Sequence, residues 1–201
     1  MTTSIYRLIP ADQQAVVPWK NGGGTTTELA QGLANAPDQD WSWRISLADV
    51  EHSGPFSIFT GIDRITCVVE GDGMDLRHED GSLIALEPNQ PVEYDGGTTV
   101  VGVLRKTPIR NFNVMVDRRF LRAKVTIVRG PNALSVQTER GKTLFIHMLQ
   151  GQCSVTPANR SADTLSTLES LIVQDYAEVS VRLEPMARAA IVHFEELRRL
   201  N

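Results

Sequence analysis

Ile65-Thr66-Cys67-Val68-Val69-Glu70-Gly71 is a strand pattern that ends in a glycine turn, and it returns 80 residues later as Phe145-Ile146-His147-Met148-Leu149-Gln150-Gly151. A second pairing, Ile84-Ala85-Leu86 with Leu171-Ile172-Val173, has an offset of 87 residues. The larger offset is expected if the second copy carries extra residues in the polar loop 156–170. The repeat therefore predicts two β units of similar topology.

Apolar and polar residues alternate through most of the chain, which predicts strands with one apolar face. The clearest such segments are residues 41–47, 65–69, 124–128 and 179–183. Glycine turns separate short strands at the spacing of a sandwich or barrel. Helical periodicity is confined to residues 11–16 and 195–200. We predict an all-β fold.

The order of a strand, a Glu-Gly-x-Gly turn, a second strand and the segment Leu86–Pro91 resembles the layout of the cupin barrel, a double-stranded β-helix. With the repeat, this resemblance implies two fused cupin-like units. We place the first at residues 1–115, including the Trp-Lys-Asn-Gly-Gly-Gly-Thr-Thr segment, and the second at 116–201. We expect the two to pack as one structural domain.

Most catalytic cupins hold a metal with His-x-His, a following Glu and a later His. Here the four histidines are scattered, at His52, His78, His147 and His193. A lone imidazole without clustered partners is a poor metal site, so we predict that His147 is a hydrogen-bonded interior residue. We expect no metal and no other cofactor.

Composition excludes several classes of protein. The 201 residues are 41% hydrophobic, enough for a buried core, but no window approaches the roughly 18 apolar residues of a membrane span. The start lacks the layout of a signal peptide, so we expect a cytoplasmic protein. Cys67 and Cys153 lie in apolar strand segments and are expected to be buried free thiols.

Charge is divided unequally along the chain. Residues 1–100 carry 5 basic and 15 acidic side chains, whereas residues 101–201 carry 15 basic and 9 acidic ones. No aromatic interleaving or nucleic-acid motif accompanies the basic residues, so we expect neither a nucleic-acid nor a membrane partner. A solvated or dimer-facing surface fits better, and exposed edge strands would allow a homodimer.

Three consecutive glycines stand in the segment Pro18-Trp19-Lys20-Asn21-Gly22-Gly23-Gly24-Thr25-Thr26-Thr27-Glu28. Each glycine costs a regular element about 0.5 to 1 kcal/mol relative to alanine, so the run indicates positive φ or a close approach to the main chain. Its polar neighbours suit a small anionic ligand, although neither phosphate-loop pattern fits. The alternative is a mobile loop anchored by Trp19.

Two strands carry polar side chains on one face. In residues 41–47, Arg44 shares its face with Ser42 and Ser46, and a buried guanidinium there would need an anionic partner. The alternative is a solvated strand face. In residues 111–117, Asn111, Asn113 and Asp117 share a face that could supply amide recognition.

Arg64 adds a further cation at the entrance to a strand, next to Asp63. Cations, amides and backbone donors together suit a small carboxylate or amide ligand. Catalysis has less support, because the chain has no Gly-x-Ser-x-Gly, no recognisable Cys–His pair and no defined carboxylate pair. Glu28, Asp63 and His147 are available acids or bases, but the catalytic residues are unknown.

Five blocks resemble, in order and spacing, the signature of the HutD/Ves family; they are Val17–Glu28, Trp43–Ala48, Ser53–Ser57, Gly61–Arg64 and Asn113–Met115. The resemblance implies a double cupin without the usual metal and an association with bacterial histidine utilisation. It also implies a regulatory role through binding of an intermediate such as N-formylglutamate. The Ves branch is linked to stress responses instead.

From these residues we expect the ligand site to contain Lys20, Asn21, Gly23, Gly24, Thr25, Arg44, Arg64 and Asn113. Two carboxylates would call for Arg44, Arg64 or Lys20, and a formamide would call for Asn21 or Asn113. The alternative function is a metal-independent cupin enzyme, an isomerase or amide hydrolase, acting on a similar carboxylate. A metalloenzyme with unconventional ligands is a third, weaker reading.

Overall fold

In the computed structural model the described residues are 5–19, 22–33, 38, 40–137, 142–158, 161–174 and 178–197. Apart from a 3-10 turn at Ala11–Gln13, the regular elements of these residues are strands, which confirms the all-β prediction. None of the described residues forms a helix long and apolar enough to cross a membrane.

The strands are, in chain order, β1 Ile5–Ile9, β2 Ala15–Pro18, β3 Gly24–Leu33, β4 Trp41–Val50, β5 Gly54–Pro55, β6 Ile62–Glu70, β7 Met74–His78, β8 Leu83–Leu86, β9 Val92–Asp95, β10 Val100–Leu104, β11 Ile109–Asp117, β12 Leu121–Arg129, β13 Asn132–Gln137, β14 Lys142–Gln150, β15 Gln152–Pro157, β16 Asp163–Ser166, β17 Ser170–Gln174, β18 Glu178–Leu183 and β19 Arg188–Glu196.

The two helical predictions were largely wrong. Residues 15 and 16 begin β2, and Glu195 and Glu196 end β19, while residues 198–200 lie outside the described residues. Cross-strand pairing accounts for both cases, because β2 pairs with β3 and Glu195 of β19 lies opposite Lys142 of β14. Tertiary pairing outweighs weak local periodicity.

The first unit comprises residues 15–122 and Leu197 of the described chain. One sheet has six strands in the order β2-β3-β4-β11-β6-β9, and the other has four in the order β5-β10-β7-β8. Apolar residues from both sheets form one core cluster: Ala48, Val50, Val68, Met74, Leu76, Leu86, Tyr94, Val100 and Ile109. The alternation of the strands thus buries an apolar face on each sheet.

The second unit comprises residues 5–14 and 123–196. Its sheets follow the orders β1-β17-β14-β19-β12 and β13-β18-β15-β16. The core cluster contains Val128, Leu144, Ile146, Met148, Cys153, Val155, Leu165, Leu171, Val173, Val179, Val181, Leu183, Ala187, Ala189 and Ile191. Both cysteines are buried thiols, as predicted, and burial raises the pKa of the Cys153 thiol to about 11.

The two units repeat one topology, as cupins do. Strands β4 to β11 correspond one for one to β12 to β19, because the four-stranded sheets match and so do four strands of each larger sheet. The first sequence pairing is confirmed, since residues 65–70 fall on β6 and residues 145–150 on β14, and a glycine of positive φ follows each strand. The second pairing is wrong: β8 corresponds to β16 rather than to β17, which Leu171–Val173 occupies.

The division between the units differs from the predicted division at residue 115. Contacts place it after residue 122, and residues 5–14 belong to the second unit. Strand β1 is the reason, because it pairs with β17 along five residues. Nothing in the order of the sequence indicates that β1 belongs to the second unit. That the two units pack as one structural domain stays a prediction.

Candidate functional site

The first unit contains a cavity of about 700 Å³. Its walls come from the β2–β3 hairpin, alternate residues of β4 and β11, Arg64 of β6 and four of the residues 55–59. Period-two alternation explains the pattern, because residues i, i+2 and i+4 of a strand point to one face. This volume lies within the range of about 300 to 1,000 Å³ typical of small-molecule sites.

Strand register arranges the polar residues of the cavity in rows. Strands β4, β11 and β6 are neighbours, and their Cα partners form three rows on one face: Arg44–Met115–Arg64, Ser46–Asn113–Thr66 and Ala48–Asn111–Val68. The two arginines therefore flank the same residue of β11. Predicted residues Arg44, Arg64 and Asn113 are brought together in this wall.

Arg64 is the most unusual charge of the cavity. Its side chain is 8% exposed, and Nη1 donates to the carbonyl oxygen of Ser57 at 3.2 Å. Phe56, Phe59 and Tyr94 surround the guanidinium carbon at 5.3 to 5.7 Å from their ring centroids. Nε has no hydrogen-bond partner, and no ion pair joins Arg64 to a carboxylate in the described part of the chain.

Burial is the main cause that lowers the pKa of Arg64, and the nearby Arg44 lowers it further. The guanidinium remains protonated at neutral pH because arginine side chains are not deprotonated in proteins. Both arginines line the cavity, so their positive charges act on the same region. Burial likewise raises the pKa of Tyr94, so its phenol stays neutral. An unneutralised buried cation of this kind favours an anion.

Arg44 lies in the cavity wall but already has a carboxylate partner. Its Nε donates to Glu28 Oε2 at 2.8 Å, and the two side chains are 26% and 35% exposed. This pair largely neutralises Arg44. Of the two arginines, Arg64 therefore offers the stronger attraction to a ligand anion.

Asn113 and Asn111 differ in how their amides are used. Asn113 Oδ1 accepts from the Thr66 hydroxyl at 2.9 Å, and its Nδ2 donates to the carbonyl oxygen of Asn111 at 3.3 Å. The Asn111 side chain also lines the cavity and is 1% exposed, but neither its Nδ2 nor its Oδ1 has a partner. Leaving a buried polar group unpaired costs about 1 to 3 kcal/mol.

Asn111 was absent from the predicted site. The signal that could have found it was present, since Asn111 shares a strand face with Asn113 in the sequence. Trp19, Thr26 and Phe56 were also missed as lining residues. Trp19 Nε1 donates to the Thr26 hydroxyl at 2.7 Å, which fixes the indole at the wall.

The glycine run has a structural explanation in the β2–β3 hairpin. Gly22 has φ +68°, and its amide donates to the carbonyl oxygen of Trp19 at 3.0 Å. A Cβ on Gly24 would lie 2.0 Å from the carbonyl oxygen of Asp49, so only glycine allows β3 to approach β4 there. Gly22 and Gly23 line a neighbouring cavity of about 330 Å³, which shares Trp19 with the main one.

Three of the remaining predicted residues do not line the main cavity. Thr25 donates to Asp49 Oδ2 at 3.3 Å and lines neither cavity. Gly23 and Gly24 do not line the main cavity either. Lys20 and Asn21 lie outside the described residues.

His147 is an interior residue, as predicted. Its ring is fully buried, and Nδ1 lies 2.8 Å from the Ser170 hydroxyl oxygen. Among the described residues, no group of three or more His, Cys, Asp or Glu side chains is placed to hold a metal ion. The cavity wall offers cations, hydroxyls and amides, which suit binding of an organic anion.

Comparison with known proteins gives relatives along nearly the whole chain. An uncharacterised 21.2 kDa protein from the hutC 3′ region of Pseudomonas putida is 30% identical over 189 residues, which cover 94% of this chain and 97% of the relative. Protein Ves of Citrobacter koseri is 27% identical over 129 residues, 64% of this chain and 65% of Ves.

Among solved structures, HutD from Pseudomonas fluorescens SBW25, in a formate condition, is similar with a TM-score of 0.80 and 26% identity. The match covers 96% of this chain and 100% of that protein. The HutD family model matches residues 11–191. This chain therefore belongs to the HutD family, which is associated with histidine utilisation.

Proposed function

We propose that this protein binds a small acidic metabolite, such as N-formylglutamate, in the cavity of its first unit and thereby regulates histidine catabolism in the cytoplasm. Membership of the HutD family supports the link to this pathway. The cavity supports the ligand class, because its polar wall combines two arginines with hydroxyls and amides.

Arg64 is the observation that carries the proposal. A buried guanidinium normally has a carboxylate partner, because an unpaired buried charge is costly. Here aromatic rings surround the guanidinium, and Nε is left without a hydrogen bond. A ligand carboxylate can supply both the missing charge and the missing acceptor.

Arg44 adds a second cation to the anion site, but its ion pair with Glu28 reduces the charge that it offers to a ligand. Its pairing with Glu28 leaves less positive charge for a ligand than two free arginines would. A second ligand carboxylate would compete with Glu28 for the Arg44 guanidinium. We therefore expect Arg64 to dominate affinity and Arg44 to contribute less.

The test is calorimetric titration with N-formyl-L-glutamate and glutarate. Arg64→Gln should weaken binding by about 2 to 5 kcal/mol, the usual cost of truncating one partner of a buried charge pair. The matched control is Arg105→Gln, because Arg105 forms surface ion pairs with Asp75 and Glu87. The control variant should bind as the original protein does.

Failure of the original protein to bind any of these acids would refute the proposal, as would full affinity in a folded Arg64→Gln variant. The same mixtures should be analysed for products with a chelator present. Turnover of the acid would replace the binding role with that of a metal-independent isomerase or amide hydrolase.

A further inference from the structure

We infer that Asn111 selects the ligand of this cavity, and that the ligand carries, besides its carboxylate, an amide-type group whose N–H and carbonyl oxygen face the same side. This inference rests on the proposed function and narrows its ligand class. A primary carboxamide, a lactam or a formamide in the cis form has that arrangement. The amide role thus moves from Asn113 to Asn111.

The hydrogen bonds of the two asparagines support this assignment. Asn113 is held by the Thr66 hydroxyl and by the carbonyl oxygen of Asn111, so its amide is already fixed and used. Asn111 is also buried and lines the same cavity, yet its amide nitrogen and its amide oxygen both lack partners. An orphan donor and an orphan acceptor on one side chain call for a partner that offers both.

The protein surroundings of Asn111 do not supply that partner. Its Cα neighbours across the sheet are Ala48 on β4 and Val68 on β6, and both belong to the apolar core cluster. A carboxylate at this position would accept from Nδ2 but would face Oδ1 with a second acceptor. An amide satisfies both atoms, so the ligand carboxylate belongs at the arginine end.

The fold itself does not require an amide at position 111. In the second unit the corresponding register position is Ala189, which pairs with Met148 as Asn111 pairs with Val68. Ala189 is fully buried in an apolar cluster. The same barrel position is therefore stable with a methyl group, and the buried amide of Asn111 is left for a ligand.

The distance between Asn111 and Arg64 limits the kind of ligand that can reach both. Asn111 and the row of Arg64 lie four strand positions apart, which is about 13 Å along the strand. The long arginine side chain can shorten this span, but one small anion cannot occupy both ends. The ligand is therefore a carboxylate joined to its amide group by several carbons.

The experiment compares two probes that differ in one group. The compounds 4-carbamoylbutanoate and 5-oxohexanoate have the same length and the same carboxylate, but an NH₂ in the first is a CH₃ in the second. Calorimetry on the full chain should show at least about tenfold tighter binding of 4-carbamoylbutanoate, because only that probe satisfies both atoms of Asn111.

Asn111→Leu should reduce this preference to nearly one, and Asn111→Ala should do the same if the leucine variant fails to fold. Both variants should unfold at the same or a higher denaturant concentration, because they remove an unpaired amide. If Asn111 had a merely structural role, replacing it would lower the denaturant concentration at which the protein unfolds. The matched control is Asn132→Leu, at an exposed position of β13, which should keep the preference.

A probe preference that survives in a folded Asn111 variant would overturn the inference. Equal binding of the two probes by the original protein, with N-formyl-L-glutamate still bound, would overturn it and leave the proposed function standing. No binding of any of the three acids would overturn both.

Discussion

The two units of this protein use the same barrel positions in opposite ways. The strand registers align β6 with β14, β11 with β19 and β9 with β17. In this alignment Arg64 corresponds to Leu144, Tyr94 to Val173, Thr66 to Ile146, Asn113 to Ile191 and Asn111 to Ala189. The first set lines or borders a cavity, and the second fills a core. The topology therefore fixes positions and leaves their chemistry open.

The units also differ at the edges of their larger sheets. The first unit extends its sheet beyond β4 with the β2–β3 hairpin, whereas the second extends its sheet beyond β17 with β1. Residues Val17, Pro18, Trp19 and Thr26 of that hairpin line the cavity. The added hairpin is thus part of the site, and the second unit has no equivalent strand pair among the described residues.

The largest expected effect on stability comes from exchanging the residues at one barrel position, Arg64 in the first unit and Leu144 in the second. Leu144→Arg places an unpaired cation in a filled core and should destabilise the protein by more than about 4 kcal/mol. The reciprocal change, Arg64→Leu, should leave the free energy of unfolding unchanged or higher while removing ligand binding. Urea unfolding followed by circular dichroism measures both changes.

A Leu144→Arg protein as stable as the original would mean that the second barrel also tolerates a polar interior. In that case the contrast between the units would lose its energetic basis. A strongly destabilised Arg64→Leu protein would show instead that Arg64 holds the first barrel together.

The next-largest effect concerns the hydrogen-bonded pair Thr66 and Asn113 and their counterparts in the second unit. Ile191→Asn introduces an amide at the position of Asn113 but without the hydroxyl that Thr66 supplies, and should cost about 3 kcal/mol. Adding Ile146→Thr provides that hydroxyl. The double variant should therefore be less destabilised than the sum of the two single changes, by about 1 kcal/mol.

Denaturant midpoints of the four proteins in this cycle give the coupling energy. Strict additivity would contradict the claim that Thr66 and Asn113 act as a pair. The same cycle on the first unit, with Thr66→Ile and Asn113→Ile, is a matched comparison.

Sequence alone predicted the barrels better than the site. Alternation and the Gly71 and Gly151 turns carry the topology, because period two and positive φ are local properties. Arg44 and Arg64 were also predicted as cations of the site. The hydrogen bonding of each amide could not be predicted, because Asn111 and Asn113 look alike in sequence. They differ through the contacts that only Asn113 makes, with the Thr66 hydroxyl and the carbonyl oxygen of Asn111.

The glycine run has a structural explanation that the sequence pattern could not show. Three glycines among polar residues resembled a ligand loop, yet the clash that Gly24 avoids is with the carbonyl oxygen of Asp49, 25 residues away in sequence. Only the pairing of β3 with β4 shows this constraint. The place of β1 in the second unit could not be predicted for the same reason, because it depends on pairing with the distant strand β17.

Gly24→Ala tests whether the added hairpin supports the cavity. The new methyl group would overlap the carbonyl oxygen of Asp49 and should push β3 away from β4, at a cost of about 2 kcal/mol. Ligand affinity should fall as well, because Trp19 and Thr26 move with the hairpin. The control is Gly54→Ala, since a Cβ there meets no atom within 4 Å.

If Gly24→Ala lowers stability but leaves affinity intact, the hairpin does not shape the site. If it changes neither, β3 and β4 tolerate a larger separation than the structure shows. Calorimetry and urea unfolding on the same preparations distinguish these outcomes.

The smallest expected effect separates the two units by pH. Partial desolvation of the ring lowers the pKa of His193, an exposed residue of the second unit, and the nearby Lys124 and Lys142 lower it further. The unfolded chain, with an ordinary histidine pKa of about 6.5, therefore binds the proton more readily than the folded protein. Stability is fully present above pH 6.5 and falls as the pH drops through the lowered pKa.

The first unit responds in a different window. A side-chain hydrogen bond from Arg119 lowers the pKa of the buried Asp117 carboxyl. Its contribution is present above the unfolded value of about 3.9 and is lost only as the pH falls through the lower folded pKa. His193→Gln should therefore flatten urea midpoints between pH 7 and 5. Asp117→Asn should lower the urea midpoint at every pH above about 4 and weaken its dependence on pH below 4, because it removes the carboxylate that pairs with Arg119. A histidine variant with an unchanged midpoint profile between pH 7 and 5 would mean that protonation of His193 does not differ between the folded and unfolded states.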